Sequence, residues 1–244
     1  MSVALRRDIV ADTESLARAA ATRLLARIDA QPERVAICLT GGSGPKRLFE
    51  LLADEFSARI PWPRVHWFIG DDRFVPQHDE LSNIGTARRM LLDGRAPAGN
   101  IHAIPTELAT PDDAALTYQR TLQAFYGADQ FEPARPLFDL VLMGMGPDGH
   151  TASLFPDAPA LGERQRWVVG VETAHVAPFV PRVTLTLPAL ASCREMLFLV
   201  GGAEKRAVLS RVLAGEDLPA ARAQSQRETV WLIDRAAWPE KFDG

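Results

Sequence analysis

The chain has 244 residues, of which 47% are hydrophobic and 24% charged, and its net charge is −4. This composition is that of an ordinary globular protein, and the mildly acidic balance argues against a nucleic-acid binder, for which a basic domain is expected. Arg6, Arg7 and Asp8 come too early for the apolar core of a signal peptide, and no apolar run approaches membrane-spanning length. We therefore expect a cytoplasmic protein that binds neither nucleic acid nor a membrane.

The two cysteines, Cys38 and Cys193, lie far apart and belong to no Cys-x-x-Cys pair or Cys/His cluster. A disulfide framework or a structural zinc is therefore not expected. No repeat, low-complexity tract or long linker interrupts the chain, so residues 1–244 are predicted to form a single domain.

The first segments of the chain alternate between helix and strand patterns. Asp12 or Thr13 can cap a helix that ends before Pro32, because apolar residues recur at every fourth position between them. Residues 35–40 then form an apolar run typical of a buried strand, and the glycine-rich segment 41–44 precedes another helix pattern.

The glycine-rich loop consists of Gly41, Gly42, Ser43 and Gly44. Backbone N–H groups at the start of a helix attract phosphate. The loop is not a Walker motif, because the Gly-Lys-Ser/Thr ending is absent, and Pro45 stands where a nucleophile elbow needs its last glycine. Taken alone, it is either an anion site or a structural turn.

The next strand, predicted over 65–69, runs into charged residues: Asp71, Asp72 and Arg73. Two adjacent carboxylates beside an arginine can be a catalytic group or a solvated turn. His78 follows in the same loop and is expected to be exposed. Further on, the patterns predict a helix over 82–92, a short strand over 101–104 and a helix over 111–127.

Residues 138–143 form a short apolar run typical of a strand buried on both faces, and a glycine-rich loop containing Asp148 and His150 follows directly. The glycines spell the G-x-G-x-x-G dinucleotide fingerprint, but a carboxylate stands where the backbone would face a pyrophosphate, so this match is weak. Asp148 and His150 instead project from a tight loop at the carboxyl end of a strand, where open α/β sheets bind their ligands.

The remaining strand patterns lie at 167–171, 183–187, 196–200 and 229–233. Arg182 stands at the start of the second of these, where a surface salt bridge is the alternative to ligand binding. Lys205 falls in the first turn of a predicted helix, where a cation opposes the helix dipole unless it serves a ligand.

This strand–helix alternation predicts an α/β fold: a Rossmann-like, mostly parallel sheet with helices on both faces. The loops 41–44, 70–73, 144–150 and 201–205 all follow strands, so they can line one crevice. Together they offer an anion cradle, two carboxylates, an arginine, a histidine and a lysine. A small phosphorylated ligand and acid–base chemistry fit this set.

These motifs resemble those of the 6-phosphogluconolactonases over nearly the whole chain. The segments that carry the resemblance are 39–43, 70–73, 82–83, 144–156, 182–188 and 201–205. The segment 144–156 is highly specific, whereas the first and the last are shared with the related glucosamine-6-phosphate deaminases.

The resemblance implies the fold of those deaminases and of ribose-5-phosphate isomerase. It also implies hydrolysis of 6-phospho-D-glucono-1,5-lactone in the oxidative pentose phosphate pathway, with no organic cofactor or metal, by a monomer or weak homodimer. Two residues depart from the usual motifs: Asp72 replaces a glutamate, and Gly44 replaces a threonine of the phosphate cradle.

Roles follow for each motif residue. The expected catalytic residues are His150 as the general base, Asp148, Asp71 and Arg73. The expected residues for binding substrate and its phosphate are Gly41, Gly42, Ser43, Gly44, Asp72, Arg182 and Lys205. Either Asp148 or Asp71 could orient His150, and Arg73 could stabilise an oxyanion or hold the ligand.

Two other functions compete. The deaminases usually carry Asp-Glu-Tyr and Asp-Gly-His-Ile-Ala-Phe where this chain has Asp71-Asp72-Arg73 and Asp148-Gly149-His150-Thr151-Ala152-Ser153. A sugar-phosphate sensor without turnover would usually carry a DNA-binding helix-turn-helix, for which the chain has no spare length. Both comparisons favour the lactonase.

Overall fold

The fold is built on ten strands, as a computed structural model describing residues 5–242 shows. The strands are β1 Leu5–Val10, β2 Val35–Leu39, β3 Val65–Ile69, β4 Asp71–Arg73, β5 Ile101–His102, β6 Phe138–Met143, β7 Val168–Val171, β8 Arg182–Leu185, β9 Cys193–Val200 and β10 Glu228–Asp234. Seven of them form one sheet in the order β1-β10-β9-β6-β2-β3-β5. Every neighbouring pair in this sheet is parallel.

Seven α-helices accompany the strands within the described residues. They are α1 Thr13–Asp29, α2 Lys46–Asp54, α3 Asn83–Ala87, α4 Pro111–Tyr126, α5 Leu187–Ala191, α6 Arg206–Leu213 and α7 Pro219–Arg222. A π-helical turn, Arg88–Leu92, extends α3. Among residues 5–242, no helix has the length and apolar character needed to cross a bilayer.

The helix ends lie where the sequence signals them. The Asp12 carboxylate accepts a hydrogen bond from the Ser15 N–H at the start of α1. Thr110 caps α4 in the same way, and Gly127 ends that helix in the left-handed conformation. These caps satisfy N–H and C=O groups that a helix end leaves unpaired, which is why the predicted boundaries agree with the structure.

The centre of the large sheet is covered on both faces. Every residue of β2 and of β6 is buried, as their largely apolar sequences predict for parallel strands between helix layers. The predicted α/β class and the mostly parallel Rossmann-like sheet are therefore confirmed.

A second sheet of three short strands, in the order β4-β8-β7, was not predicted. Its strand pairs are antiparallel. The expectation of a loop over 70–73 is therefore wrong for Asp71–Arg73, which pairs with β8. The expectation of unbroken strand–helix alternation is wrong too, because β8 follows β7 without a helix between them. A three-residue strand of charged side chains has no strand propensity to detect, so only its pairing defines it.

Strand β1 and helix α7 were also not predicted from the sequence. Strand β1 carries Arg6, Arg7 and Asp8 on the outer edge of the large sheet, where charged residues discourage pairing with other chains. Helix α7 has only four residues, too few for a periodic pattern.

Successive side chains of a strand point to opposite faces, so Asp71 and Asp72 of β4 lie in different environments. The Asp72 side chain is fully buried and accepts hydrogen bonds from the backbone N–H groups of Arg73, Asn83 and Ile84. The Ser82 hydroxyl donates to it as well. Burial raises the pKa of Asp72 to about 6, against the opposing effect of these hydrogen bonds. Asp72 therefore ties β4 to the start of α3.

Replacing this buried carboxylate should destabilise the fold. In Asp72→Ala, three buried N–H groups and a hydroxyl lose their acceptor. Each such loss costs about 1–3 kcal/mol before relaxation, so we expect a loss of about 2–4 kcal/mol in the free energy of unfolding. Urea denaturation followed by circular dichroism measures this quantity. Asp93→Ala is the control, because its side chain is 59% exposed and pairs loosely with Arg88. Equal stability of the two variants would contradict the prediction.

Candidate active site

The predicted loops enclose a cavity of about 410 Å³ at the carboxyl edge of the parallel sheet. Strands β2, β6 and β9 are neighbours there, so the segments 41–44, 144–150 and 201–205 that follow them converge. Most of the predicted site residues line this cavity: Gly41, Gly42, Ser43, Gly44, Asp71, Arg73, His150, Arg182 and Lys205. Asp148 and Asp72 are not among the lining residues.

A closed turn of backbone holds His150. The Gly146 N–H donates to the carbonyl of His150 at 2.8 Å, and the Gly149 N–H donates to the carbonyl of Gly146 at 3.1 Å. Gly149 has a φ of +88°, which favours glycine. A Cβ atom on Gly146 would overlap the imidazole ring, so this ring rests directly on the backbone. The second ring beside it belongs to Phe155, 4.8 Å away between centroids.

Asp148 sets the state of the imidazole. Its Oδ1 lies 2.5 Å from Nδ1 of His150 and also accepts the His150 backbone N–H at 3.1 Å. Burial raises the pKa of Asp148, but the hydrogen bonds from His150 outweigh it and leave that pKa below its ordinary value. An ionised carboxylate can only accept, so Nδ1 carries a proton, and in the neutral imidazole the lone pair then belongs to Nε2.

Asp71 has a different partner, which separates the two carboxylates that the sequence left as alternatives. Its Oδ2 accepts a hydrogen bond from the Ser153 hydroxyl at 2.7 Å, in a buried position on the cavity wall. Asp148 is therefore the carboxylate that orients His150. Ser153 lies within the central motif but was not predicted as a site residue.

The glycine-rich loop presents unused donors to the cavity. Within residues 5–242, the N–H groups of Gly42, Ser43 and Gly44 donate to no protein acceptor. Helix α2 begins directly after this loop, so its dipole adds to the attraction for an anion. Lys205 precedes α6 and reaches the same cavity, where its Nζ donates to the carbonyl of Met145 at 2.8 Å. These groups, called the anion cradle below, are the donors that an anionic ligand in the cavity would use.

Two arginines face each other across β4 and β8, because Arg73 and Arg182 are register partners. Arg182 is only 4% exposed, and its guanidinium donates to the carbonyls of Val180 and Pro178. Burial and then the charge of Arg73 lower the pKa of Arg182. In the part of the chain that the structure describes, neither arginine forms an ion pair with a carboxylate.

Arg182 therefore does not form the surface salt bridge considered from the sequence, because it is buried and its register partner is Arg73 rather than a carboxylate. Like charges directly opposite each other on neighbouring strands destabilise a sheet. An anionic ligand in the cavity would supply the missing compensation.

Asp72 has no place in this cavity, because its carboxylate is used within the protein by the start of α3. Its expected role in substrate binding therefore has no geometric support. Conversely, Asn83 and Thr151 line the cavity although neither was predicted as a site residue. Asn83 follows the Asp-Asp-Arg segment by ten residues, and only the folded chain brings them together. Between residues 5 and 242, no cluster of His, Cys, Asp or Glu side chains is arranged to hold a metal ion.

Comparisons with known proteins agree with the geometry. The sequence model of the family described as glucosamine-6-phosphate isomerases/6-phosphogluconolactonase matches residues 11–231. A 6-phosphogluconolactonase of Nostoc sp. is 39% identical, and the match covers 96% of this chain and 97% of that protein. The crystal structure of a 6-phosphogluconolactonase from Thermotoga maritima has a TM-score of 0.81 at 30% identity, over 95% of this chain and 100% of the other.

A monomeric glucosamine-6-phosphate deaminase is also similar in structure, with a TM-score of 0.78 at 17% identity. The match covers 95% of this chain and 98% of the deaminase. At that identity the likeness concerns the fold alone.

The close approach of Gly146 to the imidazole can be tested directly. In Gly146→Ala, the new methyl group would overlap the His150 ring, so the ring must leave its hydrogen bond to Asp148. A crystal structure of the variant should show the imidazole displaced by more than about 1 Å, since interiors are too tightly packed to absorb the overlap. Gly162→Ala is the control, because a Cβ there meets nothing within 4 Å. An unmoved His150 ring in Gly146→Ala would contradict the prediction.

Proposed function

Since the chain belongs to the glucosamine-6-phosphate isomerase and 6-phosphogluconolactonase family, we propose that it hydrolyses 6-phospho-D-glucono-1,5-lactone to 6-phospho-D-gluconate in the oxidative pentose phosphate pathway. The observation that carries this proposal is the His150–Asp148 pair, which leaves Nε2 free in the same cavity as the anion cradle. In this proposal residues 1–244 act as one catalytic domain in the cytoplasm, without an organic cofactor or a metal.

The hydrolysis begins with His150 as the general base. Its Nε2 accepts a proton from a water molecule, and the water oxygen attacks the lactone carbonyl carbon to form a tetrahedral intermediate. The imidazolium then returns the proton to the ring oxygen as the carbon–oxygen bond breaks, which leaves an open-chain acid that ionises. The ionised Asp148 stabilises the imidazolium between these two steps. Proton transfer of this kind contributes roughly 10²–10⁴-fold to a rate.

The other groups bind and orient the substrate. The N–H groups of residues 42–44 and the ammonium of Lys205 hold the phosphate at the cradle. Arg73 and Arg182 hold negative charge, either on the phosphate or on the oxyanion of the intermediate. Asp71, fixed by Ser153, accepts hydrogen bonds from sugar hydroxyls.

The two departures from the usual motifs leave this arrangement intact. Gly44 lacks the threonine hydroxyl but keeps a backbone N–H with no protein acceptor in the described chain. Asp72 is shorter than glutamate, but its carboxylate lies outside the cavity and does not meet the ligand.

Removing the base should reduce turnover by at least about 100-fold. His150→Ala deletes the only group placed to accept the proton of water in this mechanism, and general-base catalysis is worth about 10²–10⁴-fold. Glucose-6-phosphate dehydrogenase would generate the lactone in place, and its decay would be followed after subtracting spontaneous opening. His78→Ala is the matched control, because His78 is exposed and lies outside the cavity. Equal rates in the two variants would remove His150 from the mechanism.

The same preparation distinguishes the rival activity. Ammonia release from glucosamine 6-phosphate, measured in parallel with lactone decay, reports a deaminase. Ammonia release without accelerated lactone decay would overturn the proposed lactonase function.

Asp148→Asn tests the orientation of the imidazole. The amide of asparagine can donate to Nδ1, which would place the ring proton on Nε2 and block its role as a base. We expect kcat to fall by about 10²–10⁴-fold, the contribution of general-base catalysis, with a smaller change in KM, since the same replacement in a Ser-His-Asp triad lowers kcat by about 10⁴-fold through the wrong tautomer. Asp217→Asn, on a side chain that is 72% exposed, is the control. An Asp148→Asn variant with wild-type kcat would sink this assignment.

A further inference from the structure

We infer that Asn83 is a positioning residue, whose amide holds the Arg73 guanidinium and the Gly41 end of the anion cradle in the arrangement that the ligand needs. This inference rests on the proposed function, because it concerns the same site. Residues 82–83 belong to a segment that carries the resemblance, but no role was expected for the Asn83 side chain. The inference is supported by the hydrogen bonds that the Asn83 amide makes and by the donor that it leaves free on Arg73.

The Asn83 amide connects both ends of strand β4. Its Oδ1 accepts a short hydrogen bond from Nη1 of Arg73, and its Nδ2 donates to the backbone carbonyl of Asp71 at 2.9 Å. The side chain is 4% exposed and lies on the cavity wall. Since both amide atoms are used, the orientation of the amide is fixed.

The hydrogen bonds of Arg73 show what this fixed amide achieves. Nη1 donates to Asn83 and to the carbonyl of Leu81 at 3.1 Å. Nε is buried without a hydrogen-bond partner, and Nη2 has no acceptor within residues 5–242. Because the buried Nε is closed to the cavity, Nη2 is the guanidinium nitrogen left to donate to a ligand. Holding Nη1 therefore directs Nη2 towards a phosphate or carboxylate oxygen of the ligand.

Asn83 also bounds the anion cradle. A Cβ atom on Gly41 would overlap the Asn83 amide group, so the backbone at the start of the cradle packs directly against it. One side chain therefore contacts both the cradle loop and the arginine on β4. A change at residue 83 would release both groups from their relative placement.

The structural role of residue 83 belongs to its backbone. The Asn83 N–H donates to Oδ1 of Asp72 at 2.6 Å, and Ser82 supplies the side-chain cap of α3. Both bonds survive replacement of the Asn83 side chain. Asn83→Ala therefore removes the amide while it keeps the start of the helix, and a thermal melt would verify the fold.

A double-mutant cycle separates positioning from mere structural support. The affinity for 6-phosphogluconate, measured by isothermal titration calorimetry, would be compared for wild type, Asn83→Ala, Arg73→Ala and the double variant. If Asn83 acts through Arg73, Asn83→Ala should weaken binding about tenfold or more in the wild-type background. It should weaken binding less than about threefold when Arg73 is already absent, because coupled residues are not additive. The control is the same comparison in a Lys205→Ala background. There Asn83→Ala should still weaken binding of 6-phosphogluconate nearly as much as it does in the wild-type protein.

An equal loss in both the wild-type and the Arg73→Ala backgrounds would overturn the inference, as would an unchanged affinity in Asn83→Ala. If Asn83→Ala does not fold, Asn83→Leu enters the same cycle. Leucine has a similar volume but neither accepts from Arg73 nor donates to Asp71, so the same dependence on Arg73 is expected.

Because the probe is a bound ligand, the cycle does not require turnover. Wild-type protein that binds 6-phosphogluconate but does not accelerate lactone hydrolysis would overturn the proposed function alone. Wild-type protein that does not bind the probe would overturn both.

Discussion

The common direction of the seven strands is the constraint on which the rest of the structure depends. In a parallel sheet all carboxyl ends share one edge, so loops far apart in sequence meet there. The segments after β2, β6 and β9 thereby place unpaired N–H groups, an imidazole and an ammonium around one cavity. No one of these segments supplies all of these groups. The buried central strands fix the distances between these groups, because neither β2 nor β6 can shift without disturbing the core on both faces.

The small antiparallel sheet adds positive charge to this edge at a cost to stability. Arg73 and Arg182 lie opposite each other without a carboxylate partner in the described chain, and burial lowers the pKa of Arg182. A protein selected for stability alone would pair such groups with acids. Instead, the acid of the same strand, Asp71, is held by Ser153, and Asp72 is used at the start of α3. The cavity is therefore left cationic, which suits a ligand with a phosphate group.

The large sheet and the His150 loop could be predicted from the sequence because their signals are local. Apolar runs identify β3 and β6, and a glycine-rich segment after a strand identifies a candidate site. The burial of Asp72 away from the cavity could not be predicted, because it depends on β4 being a strand, and β4 exists only through pairing with β8. The side-chain contacts of Asn83 could not be predicted for the same reason, since its partners Arg73 and Asp71 lie at least ten residues earlier in the chain. Local pattern locates the site, whereas long-range pairing assigns its members.

His150 and Arg73, two of the groups proposed to act on the ligand, are oriented in the same way. His150 gives Nδ1 to Asp148 and Arg73 gives Nη1 to Asn83, while Nε2 of His150 and Nη2 of Arg73 have no acceptor within residues 5–242. In both cases an acceptor in the protein takes one nitrogen and thereby decides which other nitrogen meets the ligand. Glycines contribute to both arrangements, because Gly146 and Gly41 let the backbone pack against the His150 imidazole and the Asn83 amide. Donors and acceptors fixed in this way need no reorganisation during the reaction, and such preorganisation is a major source of catalytic power.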